Sequence, residues 1–169
     1  PGGALKGSAL LTHVAQPQVL ILGVGSPLMG DDGAGARAIE LLQQQPDLPK
    51  TVELIDIGAP GWSLGAWFEN QSSVVLIDAV QMGLPPGAWR KIDLRQESLL
   101  LEDPAFSLHQ ADLACGLLLA QELDLLPENL TLYGIQPACL EPGSPLSPAV
   151  ESSLPELVHS IVKDVQRKP

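Results

Sequence analysis

The chain has 169 residues, 45% of them hydrophobic, and nine basic against 20 acidic side chains give it a net charge of −11. Such a composition argues against disorder and against a nucleic-acid surface, while the length fits one domain with a sizeable core. Two cysteines, Cys115 and Cys139, are too few for a disulfide framework and lack metal-ligand spacing, and no run approaches the ~18 apolar residues of a membrane span.

Residues 1–16 read as a loose N-terminal segment ahead of a single α/β domain over 17–169. Thr12 and His13 interrupt the apolar stretch of that segment, so no signal peptide is expected; the proline start reads as a trimmed end. A reducing cytoplasm is the expected compartment. Val19 to Leu22 is apolar without a helical period, which suits a strand buried on both faces, predicted over 18–24. Gly23 and Gly25 then allow a tight turn, Asp31 and Asp32 follow, and a helix is predicted over 33–45 with one of these acids as its N-cap. Pro46 and Pro49 end it.

Thr51 to Ile57 alternates as a second strand, finishing at Asp56 before Gly58-Ala59-Pro60-Gly61. A short helix over 62–70 carries Trp62 and Trp67, for which core packing is the expected role. Ser73 to Ile77 is a further buried strand, closed by Asp78. After the Met82–Gly87 turn, Trp89 to Leu94 reads as a more polar edge strand. Ser107 and Gln110 match a capping box opening a helix that runs to Leu123, with Cys115 as a small core residue. Leu130 to Ile135 is the last strand. The final helix is predicted over 148–166, with Pro155 breaking it and Ser153 and Glu156 forming a second cap. Strands alternating with helices imply a three-layer sandwich: a mostly parallel twisted sheet of about five strands with helices on both faces.

A strand, a glycine turn and a helix usually suggest phosphate binding. Here Leu28 stands where a dinucleotide fingerprint needs its third glycine, no Gly-Lys-Ser/Thr follows, and two carboxylates occupy the place of the phosphate. A cation is the better guest. Ligands bind beyond the carboxyl ends of such strands, where Asp32, Asp56 and Asp78 are expected to meet. His109, in the first turn of its helix, would face the same edge with its imidazole kept neutral by the helix dipole. Carboxylates with an imidazole suit a borderline divalent ion such as zinc or nickel. Each residue also has a plainer reading, with Asp31 or Asp32 as a helix cap, Asp56 as a turn former and His109 as a helix-start residue. His13 and His159 read as lone solvent-facing histidines. Gly61-Trp62-Ser63-Leu64-Gly65 fits the nucleophile-elbow pattern, but Gly58-Ala59-Pro60 separates it from its strand, so a serine hydrolase using Ser63 is a minor alternative.

The segment GVGSPLMGDDGAG closely resembles the first motif of nickel–iron hydrogenase maturation endopeptidases. The resemblance continues in order through DIGAPG (56–61), LIDAV (76–80), SLHQADL (107–113) and LYGIQPACLEPGSPLSPAV (132–150). It implies a cytoplasmic aspartyl-type endopeptidase, expected to be a monomer, that removes the C-terminal extension of the hydrogenase large-subunit precursor after nickel insertion. The family's metal-contacting acid, aspartate and histidine fall on Asp32, Asp78 and His109, which are therefore both the candidate catalytic and the candidate metal-contacting residues. The nickel is expected to come with the substrate, and zinc or cadmium to enter the same site in vitro. Two departures stand out: aspartate at 32 where some relatives have glutamate, one methylene shorter, and Ser26 where asparagine is common. A non-enzymatic metal-binding scaffold or carrier would use the same three residues and is the alternative reading.

Overall fold

A computed structural model of the chain describes residues 19–96 and 111–167. Its elements are β1 (Val19–Val24), α1 (Ala34–Gln43), β2 (Val52–Gly58), β3 (Ser73–Ala79), β4 (Trp89–Asp93), α2 (Ala111–Glu122), β5 (Asn129–Ile135) and α3 (Pro148–Arg167), with 3₁₀ turns at Gly30–Gly33 and Gly61–Phe68. The loose segment expected over 1–16, the capping box at Ser107 and Gln110, and His109 lie outside the described residues.

The sheet runs β2-β1-β3-β5-β4. β1 pairs in parallel with β2 and β3, and β3 in parallel with β5. β4 pairs antiparallel with β5 and closes one edge, the edge position expected from its more polar sequence. β1 and β3 are buried along their whole length, because helices cover both faces. Alternate residues feed two cores. Val19 and Ile21 join Ile77, Tyr133 and Ile135 under α1 and α3. Leu20 and Leu22 join Leu76 and Leu132 under α2 and the second 3₁₀ turn. The chain leaves β1 toward β2, then crosses back to β3 on its other side. The switch point of the sheet therefore lies between the carboxyl ends of β1 and β3, where ligands bind in such folds.

Three expectations need correction. The first helix begins at Ala34 behind a 3₁₀ turn, its N-cap position is Gly33, and neither Asp31 nor Asp32 caps it. Pro155 does not break the last helix, which runs unbroken from Pro148 to Arg167. Pro155 is exposed on the outer face, so the carbonyl it leaves without a donor faces water, while Val150, Leu154, Leu157, Val158 and Ile161 hold the inner stripe against the sheet. Ser153, expected to start a second cap, instead donates its hydroxyl to the Val150 carbonyl. Finally, Trp62 is 67% exposed and Trp67 is also exposed, so neither is a core residue, and Cys115 is only half-buried. Among the described residues, no helix is long and apolar enough to cross a membrane.

Candidate functional site

The turn after β1 shows why its glycines do not make a phosphate loop. Gly25 has φ +107°, and a Cβ there would lie 2.0 Å from the Asp32 carbonyl oxygen, so only glycine lets the chain fold back this closely. The Ser26 N–H, of the kind a phosphate would take, donates to Asp32 Oδ2 at 2.6 Å. The carboxylate thus occupies the place of the anion. Asp32 is half-buried at the carboxyl end of β1.

Asp78 lies inside β3, one residue before its end, rather than after it. It is 1% exposed. Strand alternation puts it on the same side as Val74 and Leu76, the face covered by α2. Burial, and then the negative charge of Asp32, push its carboxyl well above the usual range, against the lowering effect of the Ala79 backbone hydrogen bond. Two acids, one from the 3₁₀ turn after β1 and one from β3, are thus near enough to repel, with the second deprived of water. A cation between them would reverse both penalties.

Asp31 has a role its sequence position did not suggest. Its side chain is fully buried and accepts from Ala138 N at 2.7 Å, Cys139 N at 3.0 Å, Ser147 N at 2.6 Å and Ser147 Oγ at 2.9 Å. Burial alone would raise its pKa, but these bonds outweigh it and hold the carboxyl below the ordinary range. Ser147 in turn caps α3, its hydroxyl oxygen accepting from Val150 N, with Pro148 at the first helical position. Gln136 is the second residue that was missed. Its Oε1 accepts from Met82 N at 2.7 Å and Leu84 N at 3.2 Å, and its Nε2 donates to Gln81 Oε1 at 2.7 Å. It ties the loop after β3 to the end of β5. A polar residue closing an apolar strand just before Pro137 was the available signal.

The expected meeting of Asp32, Asp56 and Asp78 does not occur. Asp56 is exposed and accepts from Gly58 N at 3.1 Å, the plain turn-forming role. Among the described residues no three carboxylate, imidazole or thiol groups gather as a metal cage. His109 precedes α2 by two positions and lies outside that description. Ser63 sits in a 3₁₀ turn and donates to the Pro60 carbonyl at 2.7 Å, with no strand leading directly into it, so the nucleophile elbow is absent. His159 is exposed on α3.

Fold and site together define an α/β three-layer protein with a pair of mutually repelling acids at the switch point of its sheet. The hydrogenase maturation protease family matches residues 36–164, which includes Asp78 and begins four positions beyond Asp32. The chain is 34% identical over 141 residues to the hydrogenase expression/formation protein HupD of Thiocapsa roseopersicina, covering 83% of this chain and 64% of that relative, a little under two thirds of its length. It is 33% identical over 147 residues to the hydrogenase 2 maturation protease of Escherichia coli strain K12, covering 86% of this chain and 88% of the relative. Among solved structures it resembles the hydrogenase maturating endopeptidase HybD from E. coli, with TM-score 0.74, 31% identity, and 88% and 91% of the two chains covered. The hydrogenase 2 maturation peptidase from Thaumarchaeota archaeon SCGC_AB-539-E09 gives TM-score 0.65 and 32% identity, over 88% and 97% of the chains. The chain belongs to the hydrogenase maturation protease family.

Proposed function

We propose that the chain is an endopeptidase that removes the C-terminal extension of a nickel–iron hydrogenase large-subunit precursor once nickel has been inserted. The observation that carries this reading is the Asp32–Asp78 pair, in which burial and the neighbouring charge raise one carboxyl, on the fold of a maturation protease. In the reading, Asp32, Asp78 and His109 contact the nickel that arrives within the substrate. Several features support it. Asp78 faces the side of the sheet that α2 covers, and His109 precedes α2 by two residues. A mixed carboxylate and imidazole set suits a borderline divalent ion.

Burial and the charge of Asp32 favour the protonated form of Asp78, and a cation seated there would favour its acceptor-only carboxylate instead. Asp32, fixed by the Ser26 N–H, orients its free oxygen. With the substrate's nickel seated, the scissile peptide is held beside two acids, of which Asp78 is buried and Asp32 half-buried. One carboxylate then takes a proton from attacking water, and the amine leaves with a proton returned to it. In this reading the docking of the nickel sets the position of cleavage, because it fixes the scissile bond beside the two acids.

The test incubates the protein with purified nickel-loaded and nickel-free precursor and reads subunit mass before and after. Shortening of the nickel-loaded form alone is expected. A verified competent precursor that keeps its full length would overturn the reading in favour of a metal-binding scaffold.

A further inference from the structure

Asp31 serves more than the end of a helix. Capping α3 needs only Ser147, whose own hydroxyl oxygen meets the Val150 N–H. The Asp31 carboxylate reaches beyond it to Ala138 N and Cys139 N, which belong to no helix or strand, and Ala138 is exposed enough for water to satisfy its N–H. The lacing runs in the other direction too. Asp31 N donates to the Cys139 carbonyl at 2.8 Å, and Gly143 N to the Leu28 carbonyl at 2.8 Å. Gly30, at φ +59°, lies so close that a Cβ would come within 2.6 Å of the Cys139 oxygen. The turn 28–32 and the loop 138–147 therefore form one unit, and Asp32 is the next residue along it. Asp32 itself is secured within its own turn, with Ser26 N donating to Oδ2 and Asp32 N donating to the Met29 carbonyl.

We infer that Asp31 is a positioning residue: by clamping the β5–α3 loop against the β1 turn, it sets where the Asp32 carboxylate stands opposite Asp78. This rests on the role proposed for Asp32, which touches the substrate's metal while Asp31 touches only the protein. A loop carrying Pro137, Pro142 and Pro145 and running into Pro148 at the start of α3 is stiff, so a carboxylate hung from it is held more firmly than by a four-residue turn alone. Displacing a reacting group by about 1 Å can cost on the order of a hundredfold in rate.

The test compares Asp31→Asn, Ser147→Ala and Ser147→Thr with the parent chain. The Ser26 amide resonance is the first readout, because its proton lies on Asp32 Oδ2 and reports that carboxylate directly. The side-chain amide of Asp31→Asn has one acceptor oxygen for two acceptor places, so its NH2 must face either Ser147 N or the N–H groups of Ala138 and Cys139, and Ser147→Ala removes the hydroxyl donor while Ser147→Thr keeps it. The Ser26 resonance is expected to move in Asp31→Asn and in Ser147→Ala toward its place in Asp32→Ala, and to return in Ser147→Thr. On nickel-loaded precursor, kcat falls about tenfold or more in Asp31→Asn with KM within about twofold. A loss of helix capping alone lowers the melting temperature of Ser147→Ala without moving Ser26. An unmoved Ser26 amide in folded Asp31→Asn, or in Ser147→Ala should Asp31→Asn not fold, overturns the inference. A parent chain that cleaves nothing while the Ser26 shifts follow this pattern would overturn the proposed reaction and leave the positioning intact.

Discussion

Replacing Gln136 by methionine keeps the length and bulk of the side chain and removes its hydrogen bonds. Two backbone donors lose their acceptor, Met82 N at 2.7 Å and Leu84 N at 3.2 Å. Met82 is buried, so its N–H has no water to turn to, whereas Leu84 is half-exposed and can be solvated. An unmet buried donor costs about 1–3 kcal/mol, and the apolar replacement avoids the desolvation of the amide it displaces, which leaves a net loss of about 2 kcal/mol. For a domain of this size that lowers the melting temperature by about 4–8 °C. Thermal melts followed by circular dichroism, with urea denaturation alongside, measure it. Gln136→Glu supplies the internal control. When protonated, it offers the acceptor and a donor in much the original places. When ionised, it sets a buried charge against Gln81 Oε1 and the Pro137 carbonyl, both acceptors. Its folded-state pKa is thereby raised above the unfolded ~4.3, so its stability is full below that value and falls as pH climbs past it. A Gln136→Met protein melting within about 2 °C of the parent, or a Gln136→Glu protein whose deficit does not grow with pH, would refute the loop-tying role.

Other outcomes follow from the same geometry. Asp78 keeps its proton in the folded chain well above the pH where the unfolded chain gives it up, near ~3.9, so parent stability declines as pH rises from there toward neutrality. Asp78→Asn carries no such proton; urea titrations should show it gaining on the parent with rising pH while precursor processing is lost, and parallel stability curves would contradict the buried-carboxyl reading. Gly25→Ala meets both a left-handed φ and the Asp32 carbonyl, and is expected to lose about 1–3 kcal/mol of stability together with cleavage; unchanged melting and activity would count against the close approach. Trp62→Ala, at an exposed position, should alter stability by no more than about 0.5 kcal/mol and raise KM for the precursor. A KM equal to that of the parent would show that exposed Trp62 does not contact the precursor.

What could be read from the sequence was whatever local pattern encodes. The apolar runs of β1, β3 and β5 marked buried strands, the more polar stretch from Trp89 to Leu94 marked an edge, and the acid closing SVVLID marked a carboxylate against buried surface. Their parallel order then placed the candidate site at one edge. Long-range polar satisfaction was illegible. Asp31 finds its donors 107 to 116 residues away, and Gln136 reaches back 52 to 55 residues. No periodicity records such pairings, so Asp31 looked like a cap for the helix beside it. Pro155 and the tryptophans misled for a related reason. Whether proline breaks a helix depends on which way its ring faces, and whether an aromatic is buried depends on what covers it, and neither is a property of the neighbouring residues.

The Asp31 clamp also orders events in time. A chain emerging from the ribosome presents the β1 turn more than a hundred residues before the donors that will surround its buried carboxylate. Until the β5–α3 loop arrives, that carboxylate belongs in water, and the turn bearing Asp32 has no reason to settle against the sheet. Closing so distant a pair is slow compared with forming local turns and helices. Nascent or truncated chains lacking residues 138–147 thus have the paired acids in their sequence and no assembled site, so competence arrives only once that loop has been made rather than gradually along the chain.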